Sequence, residues 1–152
     1  MDAITVKDFV DSCHQAKRIT ELLPDLPSDV TSRSIHVVDA IHELSASGRV
    51  RVSDVSAYLD VTRPSITKAI SDLASLGYID KKPSETDGRT IYVELTPEGE
   101  GLWNKYIDEY YKHMATLLGD IPDQDVRNAI KTIEKVAGVF YEAAHKPIEH
   151  VL

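Results

Sequence analysis

The sequence predicts a mainly α-helical protein with one small β-hairpin, and three observations lead to this fold class. Apolar residues recur at helical spacing through most of the 152-residue chain. Around residues 78–93 the pattern changes to short β-prone runs, which flank the turn signal Asp87-Gly88. Proline or glycine residues lie at the ends of most segments, where they begin or end helices. We therefore expect an α+β fold with far more helix than strand.

The first helix is predicted to begin near Thr5, which with Asp8 resembles a capping box, and to end at Leu23. A linker with two prolines follows, after which Thr31 or Ser32 can cap a second helix. The apolar stripe of the first helix comprises Val6, Phe9, Val10, Cys13, Ala16, Ile19 and Leu23. This stripe must pack against another apolar surface.

Two helices separated by a tight turn come next. A short helix begins at Ser53, and the turn Asp60-Val61 leads to Thr62, whose hydroxyl can cap the following helix. Pro64 suits the first turn of that helix, and Gly77 suits the position just after it. The apolar face of this helix contains Ile66, Ala69, Ile70, Leu73 and Leu76, and its polar face contains Arg63, Ser65, Thr67, Lys68 and Ser71.

A β-hairpin follows, with Tyr78-Ile79 and Ile91-Tyr92-Val93 in its strands and residues 84–90 at its polar tip. Arg49 and Arg51 alternate with valines, which suggests a short third strand that pairs with the hairpin and brings two arginines beside it. Two helices joined by a turn and followed by a hairpin, the wing, make a winged helix-turn-helix.

Two further helices are predicted after the wing. Thr96-Pro97-Glu98 begins a long one, because it supplies a capping hydroxyl, a proline in the first turn and a carboxylate near the positive end of the helix dipole. Gly119 and Pro122 end it, and the last helix begins near Asp123. Their apolar faces are too extensive for a free-standing pair of helices. We therefore expect a partner, most simply a second copy of the chain.

The sequence contains no motif of the common enzyme classes. It has no Gly-x-Ser-x-Gly, no Walker loop and no His-Glu-x-x-His, so we expect neither catalysis nor a bound cofactor. The N-terminus lacks the pattern of a signal peptide, and no apolar run approaches the roughly 18 residues that span a bilayer. We therefore expect a cytoplasmic protein that does not bind membranes. The single cysteine, Cys13, excludes an intramolecular disulfide.

The chain resembles the MarR family of bacterial transcription regulators in the helix-turn-helix residues VSDVSAYLDVTRPSITKAISDLASLGYI and in the wing residues DGRTIYVELTPEG. The helices on either side extend the resemblance over nearly the whole chain. It implies a homodimer in which residues 1–30 and 97–152 form a helical dimerisation region and residues 31–96 form a winged helix-turn-helix DNA-binding domain. It also implies a regulator, by default a repressor, that binds a pseudo-palindromic operator in double-stranded DNA.

The charge distribution agrees with such a role. The formal net charge is −8, but residues 49–93 carry seven Lys or Arg against six Asp or Glu, whereas the rest of the chain carries ten against nineteen. The basic residues of the middle segment lie on the predicted recognition helix and hairpin, where phosphates would be contacted. The acidic remainder would repel DNA elsewhere. Charge alone leaves open the alternative that a nearly neutral segment has no special role.

The start of the recognition helix is expected to read the major groove, because only that end reaches the base edges. We expect base contacts from Arg63 and Thr67. We expect Ser65 and Lys68 to contact either bases or phosphate, and Ser53 and Thr62 to contact phosphate. Pro64 offers an apolar surface for a thymine methyl group. In the alternative interpretation these are ordinary solvated helix residues.

The wing contributes a second group of expected contacts. Arg89 resembles the family's wing arginine, which enters the minor groove. Asp87 is expected to hold the wing or Arg89 in place. Lys81 and Lys82 are expected phosphate contacts, although only one of them can point toward the duplex from a regular strand.

The resemblance also implies that an effector modulates DNA binding. A small apolar or aromatic molecule is expected in a pocket formed by Phe9, Cys13, His36, Ala40, Trp103 and Tyr106. In the alternative interpretation these residues are plain core, because aromatic residues at helical spacing usually are.

Two other functions remain open. Six histidines (His14, His36, His42, His113, His145 and His150) suggest a metal-responsive regulator. However, a zinc site needs three or four converging ligands and the chain has no His-x-x-x-His pair, so no metal site is predicted. The chain could also be a winged-helix module that binds another protein instead of DNA, because a fold alone does not determine a function.

Overall fold

The computed structural model describes residues 1–22 and 24–145 of the chain. They form a mainly helical fold with a small antiparallel sheet, which confirms the predicted fold class. The elements are α1 (Ala3–Ile19), α2 (Ser32–Ser45), β1 (Val50–Arg51), α3 (Val52–Leu59), α4 (Arg63–Ser75), β2 (Ile79–Pro83), β3 (Ile91–Leu95), α5 (Pro97–Trp103), α6 (Glu109–Leu117) and α7 (Asp123–His145), with a π-helical segment (Asn104–Asp108) between α5 and α6. Two compact units lie within Met1–Lys112 and His113–Leu152. The division into dimerisation and DNA-binding regions stays a prediction.

The sheet has the strand order β1-β3-β2, and both pairings are antiparallel. Val50 of β1 pairs with Val93 of β3, so the predicted third strand and its pairing with the hairpin are confirmed. β1 is only two residues long because Val52, which the alternating pattern assigned to it, already begins α3. The Asp54 carboxylate accepts the Arg51 backbone N–H at 2.9 Å and so stabilises this helix start.

The apolar face of α4 packs on a core that it shares with α2, α3 and the sheet. Its buried residues are Ile66, Ala69, Ile70 and Leu73. Leu76 was expected on the same face but is 40% exposed, because α4 ends at Ser75. Gly77 follows with a φ of 82°, and the Tyr78 N–H donates to the Leu73 carbonyl at 2.9 Å. The helix therefore ends in the left-handed glycine turn that the sequence predicts.

The start of α1 differs from the prediction. The Asp2 carboxylate accepts the Thr5 N–H at 2.7 Å, so the helix begins at Ala3 and Thr5 lies within its first turn. The predicted capping box of Thr5 with Asp8 is therefore wrong. The helix ends at Ile19, and its predicted last residue, Leu23, lies outside the described residues.

The start of α4 also differs from the prediction. Thr62 occupies the cap position with extended backbone angles, as expected. Its hydroxyl, however, accepts no capping hydrogen bond within the described part of the chain. A capping hydroxyl binds the N–H of the second or third helical residue, and because Pro64 at the second position has none, only the N–H of Ser65 is left as a possible donor.

The apolar stripe of α7 remains exposed. Within the described residues 123–145 no side chain is buried, and four apolar residues along one stripe are each 46–51% exposed. These residues are Val126, Ile130, Ile133 and Phe140. A surface helix of a globular protein normally packs such a stripe against its own core. None of the helices in the described residues combines the length and the hydropathy that crossing a bilayer requires.

The start of α5 is attached to the end of α4 through Thr96. The Thr96 hydroxyl donates to the Gly77 carbonyl at 2.6 Å, and the Thr96 N–H donates to the Tyr78 carbonyl at 3.1 Å. The same hydroxyl oxygen accepts the Gly99 N–H at 3.1 Å. A Cβ atom added to Gly99 would lie 2.1 Å from the Tyr78 carbonyl oxygen. This junction therefore requires glycine at position 99.

We expect Gly99→Ala to lower the free energy of unfolding by about 3 kcal/mol, because the backbone of Tyr78 must move to admit the methyl group. Gly101→Ala in the same helix is the matched control, since an added Cβ there meets no atom within 4 Å. The control should raise stability by up to about 1 kcal/mol through its higher helix propensity. Urea denaturation of both variants measures the difference, and equal stabilities would contradict the expectation.

Candidate nucleic-acid interface

The predicted contact residues of the helix-turn-helix lie at the starts of α3 and α4. Five of them are exposed (Thr62, Arg63, Pro64, Thr67 and Lys68), and two are half-buried (Ser53 and Ser65). Helical spacing explains this arrangement, because the intervening Ile66 and Ile70 point into the core. The first turns of α4 therefore expose a polar surface on one side, while the apolar residues on the opposite side of the helix anchor it to the core.

Three arginines from three different elements line one cleft of about 210 Å³. They are Arg51 at the end of β1, Arg63 at the start of α4 and Arg89 in the wing. Ser53, Thr67 and Thr90 line the same cleft. None of the ion pairs recorded among the described residues involves these arginines. Such a concentration of unpaired positive charge suits a polyanion, and hydroxyl groups beside it can add hydrogen bonds to phosphate oxygens.

Arg51 is a candidate residue that sequence analysis did not include among the contacts. The alternation of Arg49 and Arg51 with valines predicted a strand beside the wing, but it did not predict which of the two arginines would join Arg63 and Arg89. The convergence of Arg51 with Arg63 and Arg89 depends on the register in which Arg51 pairs with Tyr92 of β3. Arg49, the other arginine of this segment, instead has its guanidinium 4.1 Å from the centre of the Tyr92 ring and does not line the cleft.

The tip of the wing is organised by Asp87. Its carboxylate accepts the Arg89 backbone N–H at 3.0 Å and the Thr90 hydroxyl at 2.9 Å. The Arg89 N–H is the largest cause that lowers the pKa of Asp87 below its ordinary value, followed by the Thr90 hydroxyl and then by the positive charge of Arg51. These contacts are those of a residue that orients the wing, which is the role predicted for Asp87.

The lowered pKa of Asp87 predicts how the wing responds to acid. A carboxylate whose folded pKa is depressed contributes its full stabilisation above the ordinary Asp value of about 3.9, and loses it as the pH falls through the folded pKa. We therefore expect the Arg89 amide to stay protected at neutral pH and to lose protection only below about pH 4. NMR chemical shifts and hydrogen exchange of that amide measure this. In Asp87→Asn the acid transition of the amide should vanish, and its persistence would contradict the assignment.

Lys81 and Lys82 point to opposite faces of the sheet, as successive strand residues do. The Lys81 ammonium donates to the Ser71 hydroxyl of α4 at 3.3 Å, so Lys81 lies on the face of the sheet that is turned toward α4. Lys82 lies opposite Tyr92 on β3 and forms an ion pair with Glu94. Of the two predicted contacts, only Lys81 therefore shares a face with α4.

Arg33 is a second residue that sequence analysis missed. It lies in the first turn of α2, and its guanidinium donates a hydrogen bond to the hydroxyl of Ser65 on α4. The two residues are separated by 32 positions in the chain. No sequence periodicity relates positions so far apart, so only the packing of α2 against α4 reveals the contact.

The six residues predicted to form an effector pocket lie on α1, α2, α5 and the π-helical segment, and the pocket itself stays a prediction. His36 is exposed and lines a cavity of about 400 Å³. The other residues around this cavity are Thr20, Ser32, Arg33, Leu59, Val61 and Ile66, so the remaining five predicted residues do not contribute to it. Phe9 and Cys13 are half-buried on α1, and Ala40 and Tyr106 belong to the core.

Trp103 makes two specific contacts with α2. Its indole N–H donates to the Asp39 carboxylate at 3.0 Å, and its ring stacks on His42 with 3.6 Å between the centroids. The His42 Nδ1 lies 3.0 Å from a carboxylate oxygen of Glu100. These contacts attach α5 to α2.

The described histidines do not converge on a metal site. Among residues 1–22 and 24–145, no three His, Cys, Asp or Glu side chains are placed to hold a metal ion. His150, one of the six histidines considered above, lies outside the described residues.

The chain is similar in sequence to known transcriptional regulators. Residues 28–90 match the family model described as MarR family. The HTH-type transcriptional regulator FarR of Neisseria gonorrhoeae is 29% identical over 82 residues, which are 52% of this chain and 56% of that protein. The transcriptional activatory protein BadR of Rhodopseudomonas palustris is 26% identical over 70% of this chain and 62% of that protein. The chain therefore spans less than two thirds of the length of these curated relatives.

Solved structures share the fold. The crystal structure of Streptococcus pneumoniae FabT in complex with DNA superposes with a TM-score of 0.69 and 20% identity, covering 93% of this chain and 99% of FabT. Bordetella bronchiseptica BpsR, whose DNA binding is regulated by 6-hydroxynicotinic acid, superposes with a TM-score of 0.67 and 16% identity over 88% of this chain and 98% of BpsR. At these identities the superpositions establish a common fold.

Proposed function

We propose that this chain is a transcriptional regulator of the MarR family that binds a specific sequence in double-stranded DNA as a homodimer. The observation that carries the proposal is the cleft in which Arg51, Arg63 and Arg89 converge beside the exposed start of α4. The family is one of transcriptional regulators, which are not enzymes, as the sequence predicts.

In the proposed complex, the first turns of α4 enter the major groove. That groove is wide enough for an α-helix and displays a distinct pattern of donors and acceptors for each base pair. Arg63 and Thr67 then face the base edges, while Ser53, Thr62 and Arg51 lie beside the phosphates. Arg89 extends from the wing toward the adjacent minor groove, where a narrow groove concentrates negative potential.

The homodimer is proposed from the apolar surfaces that the single chain leaves exposed. The stripe of Val126, Ile130, Ile133 and Phe140 on α7 is about half exposed, and Ile4 and Ile19 on α1 are 73% and 67% exposed. Burying apolar area stabilises by roughly 25 cal/mol per Å², so covering these surfaces with a second copy favours association. A twofold dimer presents two recognition helices and therefore requires a pseudo-palindromic operator.

The proposal is tested by selecting bound duplexes from a random pool with the purified full chain, and by repeating the binding at two salt concentrations. We expect enrichment of an inverted repeat, with an affinity that falls steeply as salt rises. Absence of enrichment together with salt-independent capture of another protein would overturn DNA binding in favour of a protein-interaction module. We propose repression as the mode of action, because a dimer bound over a promoter would block polymerase, and a reporter under the selected operator tests it.

Lys81 and Lys82 provide a prediction with an internal control. Both substitutions to alanine remove one positive charge from the same strand, but only Lys81 shares a face with α4. We expect Lys81→Ala to weaken operator binding about threefold and to reduce the salt slope by about 0.9 for each protomer, whereas Lys82→Ala should leave both unchanged. Fluorescence anisotropy at several salt concentrations measures the slopes. Equal salt slopes for the two variants would show that the contribution of a lysine to DNA binding does not depend on the face of the strand from which it projects.

We further propose that a small effector modulates DNA binding from the cavity beside His36. Leu59, Val61 and Ile66 provide apolar walls, and His36 and Arg33 provide polar groups, a combination typical of small-molecule sites. The regulation of BpsR by 6-hydroxynicotinic acid supports an effector of this size. That acid is therefore the first probe, and the operator dissociation constant measured with and without it is the readout.

A further inference from the structure

Arg33 and Ser65 form a contact between two helices at the edge of the proposed DNA interface. Arg33 is exposed in the first turn of α2, and its guanidinium donates to the half-buried hydroxyl of Ser65 in the first turn of α4. Both residues line a cleft of about 400 Å³, together with Lys68. Two cationic side chains and the Ser65 hydroxyl therefore line this cleft beside the start of the recognition helix, together with two carboxylates.

The chemistry of the contact fixes the direction of its hydrogen bond. Arginine has five N–H donors and no acceptor, so the Ser65 oxygen must accept. The hydroxyl hydrogen of Ser65 then remains available to donate outward. In this arrangement Ser65 is presented to DNA as a hydrogen-bond donor, which matches a phosphate oxygen or a purine acceptor.

The guanidinium of Arg33 also retains unused donors. The bond to Ser65 occupies one of its N–H groups, and within the described part of the chain no carboxylate lies within ion-pair distance of it. The acids of the same cleft are Asp29 and Asp72. An exposed guanidinium with several free donors can bind a phosphate in bidentate fashion while it holds a hydroxyl with another N–H group.

We propose that Arg33 is a DNA-contacting residue contributed by α2, an inference that rests on the proposed function. Its guanidinium binds a backbone phosphate at the edge of the major groove and at the same time holds the Ser65 hydroxyl in a donating orientation. The position of the recognition helix against the backbone and the hydrogen-bonding character of Ser65 thus depend on one side chain from outside the helix-turn-helix.

The test compares Arg33→Ala, Ser65→Ala and the double variant on the selected operator, with salt dependence measured for each. We expect Arg33→Ala to weaken binding at least tenfold and to reduce the salt slope by about 1.8 for a dimer, because one phosphate contact is lost from each protomer. The double variant should lose less than the product of the two single losses, because both substitutions remove the same hydrogen bond. Arg33→Lys should restore the salt slope, since it restores the charge.

Arg127→Ala is the control for the loss of one guanidinium, because Arg127 pairs with Asp123 on its own helix, and it should leave affinity and slope unchanged. Circular dichroism verifies that each variant is folded. An unchanged slope in Arg33→Ala, or losses that simply multiply in the double variant, would overturn the role of Arg33 while leaving DNA binding intact. A wild-type chain that binds no duplex would overturn the proposed function and this inference with it.

Discussion

Replacing Arg63 with alanine is expected to weaken operator binding by roughly a hundredfold and to relax the sequence preference. A good bidentate contact between a side chain and a base is worth about 1–3 kcal/mol of discrimination, and a dimer loses two such contacts. Arg89→Ala should instead weaken all sequences to a similar extent, because the minor groove displays a degenerate pattern. Both arginines line the same cleft, so the comparison separates two roles within one site. Anisotropy titrations against the operator and its single-base variants measure both effects.

Arg49→Ala is the matched control for these two variants. It removes an arginine from the same unit, but that guanidinium lies over the Tyr92 ring and outside the cleft, so affinity should change by less than about twofold. If Arg63→Ala and Arg89→Ala reduced affinity equally for every sequence, the division between base reading and backbone contact would be wrong. If neither reduced affinity, the cleft would not be the DNA interface.

Introducing a carboxylate into the apolar stripe of α7 is expected to disrupt the proposed dimer. Ile130 is 50% exposed in the single chain, so Ile130→Glu can be accommodated without a partner but not in an apolar interface. Because the two protomers of a twofold dimer are identical, the interface would contain two Ile130→Glu substitutions. With roughly 1.5 kcal/mol or more lost at each copy, we expect the dimer dissociation constant to rise at least about a hundredfold. Analytical ultracentrifugation measures the dissociation constant, and operator affinity should fall with it.

Asn128→Glu adds the same charge to the same helix at a position off this stripe. Asn128 is exposed, and its side-chain oxygen accepts the side-chain amide of Gln124 at 2.9 Å. This variant should remain dimeric and should bind the operator with unchanged affinity. A dimer that survives Ile130→Glu with wild-type stability would exclude the α7 stripe from the interface and would turn attention to α1.

Features that depend on a few neighbouring residues could be predicted from the sequence. Pro64 occupies the first turn of α4, Gly77 ends that helix in the left-handed conformation, and the strands either side of Asp87-Gly88 form the wing. Each of these features is decided by hydrogen bonds and torsion preferences within about six residues. The errors arose where two local solutions competed. At the start of α1 the Asp2 carboxylate reached the Thr5 N–H, and Asp2 rather than Thr5 became the cap.

Within the candidate site, the sequence identified the polar face of α4, the wing arginine and Asp87, because helical and turn spacing are local. It did not identify Arg33 or Arg51 as members of the site, and it could not decide between Lys81 and Lys82. These assignments depend on the packing of α2 against α4 and on the register of β1 against β3. Neither relation leaves a periodic signal in the chain.

The sequence by itself determined the family resemblance, the order of helices and strands up to α5, and the residues that form the first turns of α4. It did not predict the π-helical segment that divides the expected long helix into α5 and α6. Only the tertiary structure decided which side chains meet. It brought Arg51, Arg63 and Arg89 together in one cleft, and it placed the indole N–H of Trp103 against the Asp39 carboxylate. The physical reason is that secondary structure follows from interactions between near neighbours, whereas a binding surface follows from how those elements pack, which depends on all of their apolar faces at once.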